Sequence, residues 1–230
     1  FGPQVYSKVG YNFVPFNAGA MEHAGNITFP AGFADGTFKY EEMMAHELSH
    51  HWWGDNVTCK TEGDMWLNEG WASYCEHFFN ESVYGKLAYK QSILENHLFV
   101  LRFAHINDGQ IFSMVNIPKE NTYGNHVYKK GADVVHSLRG VLGDSLFFKG
   151  AKMYQSNYRL GNASTQDMES VFVEYNKTMS KEWDVAFGLD YIPFSAEIDD
   201  RSDTDTDIST GVTTTGTRKA QLDLKNHFTA

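Results

Sequence analysis

The sequence predicts an α+β fold in which a small sheet is followed by a mostly helical half. Three observations predict it. From Val5 to Phe29 the chain is rich in Val, Tyr, Phe and Gly with little helical periodicity. From Phe38 onward apolar residues recur three and four apart. A chain of 230 residues that is 42% hydrophobic and 15% aromatic also carries enough apolar surface for one large core or two modest ones.

Taken in order, VYSKVGYNFVPF and AMEHAGNITF read as two short strands around a turn. Phe38, Glu41, Met44, Ala45, Leu48 and Trp52 then fall on one helical face, which predicts a helix running to about Trp53 and stopping at Gly54. GDNVTCKTEGD reads as a loop. Helical patterns follow over Met65 to Phe79, Gly85 to Phe103, His126 to Leu142, Ser145 to Tyr154 and Thr165 to Tyr175. Asn80, Gly143 with Asp144, and Gly161 to Ser164 supply the breaks. The folded body is therefore expected over residues 1–189. Residues 190–230 are acidic, Thr-rich and nearly free of large apolar side chains, the composition of a poorly ordered tail or linker. Asp203, Asp205 and Asp207 alternate like the start of a calcium loop, but neither the turn Gly nor the closing Glu follows, so no calcium site is expected.

Charge and composition exclude several functions. A net charge of -10 leaves no basic face for nucleic acid. No apolar run approaches the roughly 18 residues that cross a bilayer, and Phe1 is not followed by a basic and then apolar leader. Cys59 and Cys75 are too few for a disulfide framework. Five Asn-x-Ser/Thr sequons, at Asn26, Asn56, Asn80, Asn162 and Asn176, exceed the about two expected by chance only slightly. The compartment stays open between cytoplasmic and secreted or periplasmic, and the oligomeric state is not encoded in any pattern.

The densest chemistry lies in HELSHHWWGDNVTCKTEGDMWLNEGWASY, residues 46–74. His46 and His50 are four apart, about 40° of helical rotation and one turn of rise, so both imidazoles leave the same face. Two ligands of one ion need that geometry. Zinc takes neutral imidazole and carboxylate together, and a catalytic site uses three protein ligands with one position open. Glu69, nineteen residues after His50 on the next predicted helix, can supply the third, with Trp66, Leu67, Trp71 and Ala72 as the packing stripe. Glu47 points about 100° away from the ligand direction, which places it beside the ion as a general base toward water. His51 faces another side of the helix, where a histidine packs or supports a ligand from behind.

HELSH, followed after eighteen residues by Glu69 within NEGWASY, resembles the HExxH-x18-E signature of the gluzincin aminopeptidases, the family of alanyl aminopeptidase, aminopeptidase N and leukotriene A4 hydrolase. GAMEH, at Gly19 to His23 and 22 residues before His46, resembles the family's GAMEN segment. YGNHVYKKGADVVHSLR, with Tyr123 and Tyr128, resembles its Y-x-K-G segment and the helix after it. The likeness runs from about Tyr6 to Phe187.

The resemblance implies a thermolysin-like metallopeptidase catalytic domain with GAMEH on an edge strand and one Zn2+ per chain held by His46, His50 and Glu69. It implies that Glu47 activates water and that Tyr128 donates a hydrogen bond to the oxyanion. Glu22 would bind the free α-ammonium of a peptide substrate, and Gly19 and Ala20 would offer backbone groups along it. Met21 would wall the first side-chain pocket. His23 stands where the family has Asn, which puts an imidazole beside Glu22. The implied function is zinc-dependent hydrolysis of N-terminal peptide bonds. An endopeptidase using the same site, and a peptide-binding relative without turnover, remain as alternatives. The family's N-terminal β domain and C-terminal helical domain have no counterpart in these 230 residues, so the chain reads as a catalytic core.

Overall fold

Asp35 accepts hydrogen bonds from the backbone N–H and the hydroxyl of Thr37, at 2.8 and 2.7 Å, and so closes a turn just before the first helix. In this computed structural model, which describes residues 1–16, 19–179, 203–206 and 213–216, helix α1 consequently begins at Glu41 and runs to Ser49. Phe38 matches the helical spacing but lies outside the helix and is 82% exposed. The chain leaves α1 through tight turns over His50 to Trp53 and reverses at Gly54, whose φ of 139° suits a residue without a side chain.

The sheet before α1 is smaller and differently wired than a hairpin. Strands β1 (Tyr11–Val14) and β2 (Ile27–Pro30) pair in parallel, Tyr11 opposite Ile27 and Val14 opposite Pro30. A parallel pair needs a crossover, and the crossover carries the GAMEH segment past the far edge of β2. There Met21 exchanges two backbone hydrogen bonds with Thr28, at 2.9 and 2.8 Å, as a single antiparallel bridge. The expected edge strand is thus reduced to one bridging residue. Phe29 is buried on the underside, edge-on to Tyr11, Phe13 and Phe33.

The stretch read as a loop after Gly54 contains β3 (Val57–Cys59), which pairs in parallel with β4 (Gly161–Ala163). Between them lie α2 (Trp66–Tyr84), α3 (Lys86–Phe99), a π-helical turn (Val100–Ala104), α4 (His105–Asn107), a second π-helical turn (His126–Lys130) and α5 (Gly131–Asn157). α6 (Thr165–Met179) follows β4. Asn80 does not break α2. It is buried inside the helix and donates to Glu42 Oε1 at 2.8 Å, and α2 ends instead at Gly85, with φ of 87°. Gly143 does break the helical path, with φ of 71° inside α5.

α2 is the central element because it is buried on nearly every side, as a helix of aromatic and small residues must be. α1, α3, α5 and the second π turn all pack on it. Trp71 stacks on Trp53 with centroids 3.7 Å apart and lies against Phe147 at 5.5 Å, and both tryptophans are fully buried. α2 and α5 cross where Gly70 meets Gly131: a Cβ on Gly131 would lie 2.7 Å from the Cα of Gly70. Cys59 and Cys75 are free thiols, both buried, and burial pushes them up to about 11 and about 12.

His77 gives the core a pH limit. It is 6% exposed on α2, bonded to Ser92 at 3.1 Å, and burial lowers its pKa to about 4. A histidine with a depressed folded pKa contributes full stability above its unfolded value of about 6.5 and loses it as pH falls toward 4. A shift of this size corresponds to about 3 kcal/mol. Urea unfolding is expected to show wild type losing stability between those pH values relative to His77→Gln; parallel pH curves for the two proteins would contradict this.

The chain divides into compact units Phe1–Ile192 and Pro193–Ala230. In the second, β5 (Asp203–Thr206) pairs antiparallel with β6 (Thr213–Gly216). Asp203 and Asp205 thus lie on a strand, whereas Asp207 and most of the acidic tail lie outside the described residues. Among the described residues no helix is long and apolar enough to cross a membrane.

Candidate metal centre

α1 presents His46 and His50 toward the first turns of α2, which presents Glu69. His46 Nε2 and His50 Nε2 each lie 3.3 Å from the same oxygen, Glu69 Oε2, and all three side chains are buried. Both rings are fixed from behind. His46 Nδ1 donates to Glu76 Oε1 at 2.7 Å, and His50 Nδ1 donates to the carbonyl of Trp53 at 2.8 Å. Because these acceptors hold one ring proton on Nδ1, it is Nε2, on the Glu69 side, whose lone pair each imidazole would offer to an ion in its neutral form.

This donor set fits a zinc ion. Two imidazole nitrogens and a carboxylate oxygen lie within 4.8 Å of one another, and each imidazole has a hydrogen-bonded partner that sets its tautomer. Without an ion the side chains pair among themselves: against the cost of burial, the bonds to Glu69 and Glu76 push His46 up to about 10. Although burial opposes its ionisation, Glu69 is held down to about 2 by His46 and His50. Glu76 is likewise lowered, chiefly by its bond to His46, against the cost of burial.

Around the cage stand the other predicted residues. Glu47 is 6% exposed, and its Oε2 is buried with no hydrogen-bond partner in the protein. Burial, together with Glu22 and Glu69, pushes its carboxyl up to about 7 against the pull of the two imidazoles. Glu22 reaches in from the β1–β2 crossover, with Oε1 3.9 Å from His50 Nδ1, and groups with Glu47 and His50 within 4.8 Å. Tyr128, on the second π turn, lies parallel to the His46 ring at 6.1 Å. Burial and the Glu69 carboxylate raise its pKa well above that of free tyrosine, so the phenol keeps its proton. Tyr123 is 69% exposed at the margin. Met21 is 43% exposed, and Gly19, with φ of 65°, and Ala20 line the approach to the Met21 bridge. His23 is bonded through Nδ1 to Thr28 Oγ1 at 3.0 Å.

His51 turns away from the cage. It is fully buried, packs edge-on against Tyr6 at 5.5 Å, and accepts the Gly25 N–H on Nε2 at 2.9 Å, which ties the GAMEH crossover to α1. Two residues of the site escaped sequence reading. Glu76 lies seven residues after Glu69, two helical turns along the same face, and that spacing was a usable signal. Asp108 contacts the Tyr128 segment from a distant loop, and no local pattern marks it.

The peptidase family M1 domain matches residues 6–185. Aminopeptidase N of Streptomyces lividans is 30% identical over 222 residues, covering 84% of this chain and 25% of that protein. A probable aminopeptidase 1 of Saccharolobus solfataricus is 33% identical over 181 residues, covering 72% of this chain and 23% of that protein. The chain therefore spans about a quarter of the length of these curated relatives. Among solved structures, an M1 zinc metallopeptidase variant of Deinococcus radiodurans bound to a Tyr-Ser-Ala substrate is 26% identical with a TM-score of 0.66, over 77% of this chain and 39% of that one. A family match over most of the length, joined to a fold shared with a zinc peptidase of that family, means that this chain belongs to peptidase family M1.

Proposed function

We propose that this chain is the catalytic core of a zinc aminopeptidase, holding one Zn2+ between His46, His50 and Glu69 and cleaving the first peptide bond of substrates with a free N-terminus. One observation carries the reading: two imidazole Nε2 atoms from α1 converge at 3.3 Å on one carboxylate oxygen from α2, with both rings fixed at Nδ1. The M1 relative bound to a tripeptide supports a peptide as the substrate class.

Bound zinc supplies Lewis acidity toward a carbonyl oxygen and toward water. The protein's own groups supply the rest. Glu47, which groups with His50 and has a buried Oε2 without a protein partner and a carboxyl near neutrality, takes a proton from the attacking water and returns one to the departing amine. Tyr128, protonated and beside His46, donates to the oxyanion that develops on the carbonyl. Glu22 accepts hydrogen bonds from the substrate ammonium, and its carboxylate, close to that of Glu47, makes the pocket attractive to a cation. Gly19 and Ala20 offer backbone groups to an extended peptide, Met21 borders its first side chain, and the Thr28 contact fixes His23 next to Glu22.

Metal analysis and substrate blocking test this. Purified protein is expected to carry about one zinc per chain and to release chromophore from aminoacyl anilides, with activity lost on chelation. Acetylating the substrate's amine removes a charge-assisted contact and is expected to lower kcat/KM by about 10- to 100-fold. Equal cleavage of acetylated and free peptides would make the enzyme an endopeptidase, and zinc binding without any turnover would make it a peptide-binding relative.

A further inference from the structure

Tyr128 does not ride on a regular helix. It sits in the middle of a π-helical turn, His126–Lys130, that leads into α5, and a π turn is intrinsically less favourable than an α-helical one. Something must hold it, and one carboxylate outside the metal cage is built to do so. Asp108, its side chain 3% exposed, directs both oxygens at the first turn. Oδ1 accepts from the Asn125 backbone N–H at 2.9 Å and from Asn125 Nδ2 at 2.8 Å. Oδ2 accepts from the His126 backbone N–H at 2.8 Å and from His126 Nδ1 at 2.6 Å. Four donors saturate one buried carboxylate at a helix start, where a negative charge is favoured.

The same loop grips the turn twice more. His126 Nε2 accepts the Phe112 N–H at 3.2 Å, and Lys130 Nζ donates to the Phe112 carbonyl at 2.7 Å. Gly124 makes room for the carboxylate, since a Cβ there would stand 2.9 Å from Asp108 Oδ2. Residues 108–112 thus fasten both ends of the five-residue turn whose middle residue is Tyr128.

We propose that Asp108 is a positioning residue for the reaction: by fixing the π turn it sets the direction of the Tyr128 phenol. This rests on the reading of Tyr128 as the oxyanion donor. A double-mutant cycle on the zinc-loaded enzyme separates the two. Tyr128→Phe is expected to lower kcat by about 10²- to 10³-fold; no change would dismiss Tyr128 as donor, and the proposal with it. Asp108→Asn is expected to lower kcat by about 10- to 100-fold, with KM and zinc content unchanged. In the Tyr128→Phe background, adding Asp108→Asn is expected to cost almost nothing, because a misaimed phenol and a missing one are equivalent. An equal loss in both backgrounds overturns the proposal while leaving Tyr128 in its role. Gly124→Ala, which displaces the carboxylate from outside, is expected to behave as Asp108→Asn does and serves if that variant does not fold. Hydrogen exchange on metal-free protein provides a reading independent of turnover: amides 126–131 should exchange about tenfold faster in either variant, with those of α2 unchanged. Unaltered protection of the turn would equally refute the proposal.

Discussion

Glu47→Gln is expected to leave the protein folded and zinc-loaded while lowering kcat by about 10²- to 10⁴-fold. The amide has the shape of the carboxylate it replaces, and Glu47 is 6% exposed in a packed helix, so volume and packing are conserved. What changes is the ability to take a proton. Glu47 Oε2 is the buried oxygen without a protein partner beside the cage, and burial holds its carboxyl near neutrality rather than in the ordinary carboxylate range. Anilide hydrolysis measured beside metal content checks the expectation. Zinc lost in step with activity would make Glu47 a metal-holding group, and an unchanged kcat would remove it from the chemistry.

Gly131→Ala is expected to damage stability and activity together. Its new methyl would sit 2.7 Å from the Cα of Gly70, a contact between two backbones in which no side chain can swing aside. The helices must separate, and overpacking of this kind costs about 1–3 kcal/mol, or about 2–4 °C of melting temperature per kcal/mol in a chain of this size. Gly70 follows Glu69 directly, and Gly131 comes three residues after Tyr128, so the separation also draws the cage carboxylate away from the phenol. A displacement approaching 1 Å can cost about 10²-fold in rate. Gly140→Ala is the control. It lies on the same helix with nothing within 4 Å of its added methyl, and it is expected to gain up to about 1 kcal/mol from helix propensity. Thermal melting of both variants checks the pair, and equal midpoints would mean that the crossing tolerates the methyl.

The grouping of His46, His50 and Glu69 was legible because helical pitch turns spacing into direction, and each donor lies inside a helix that the sequence predicts. Fixed contacts at long sequence separation were not. The parallel pairings of β1 with β2 and of β3 with β4 depend on partners that no local pattern names, and three residues such as Val57–Cys59 are too short to alternate visibly. Phe38 extended the helical spacing by chance, and the Asp35–Thr37 turn overrode it. Asn80 resembled a breaker, yet a bond to Glu42 makes it an interior helix residue. The π turns were invisible because one added residue in a turn leaves the apolar spacing almost unchanged while altering every hydrogen bond. Asp108 stayed hidden for a related reason: its partners lie 17 and 18 residues away, across a loop.

The two buried thiols give this fold an internal clock. Cys75 lies on the central helix beside Glu76, and Cys59 closes the short pair β3–β4, its N–H bonded to the Asn68 side chain at 3.0 Å. Neither sulfur can react while it is covered and protonated. Alkylation at either one therefore counts openings of its own neighbourhood, so two labelling rates can tell loosening of the strand pair from loss of the whole core.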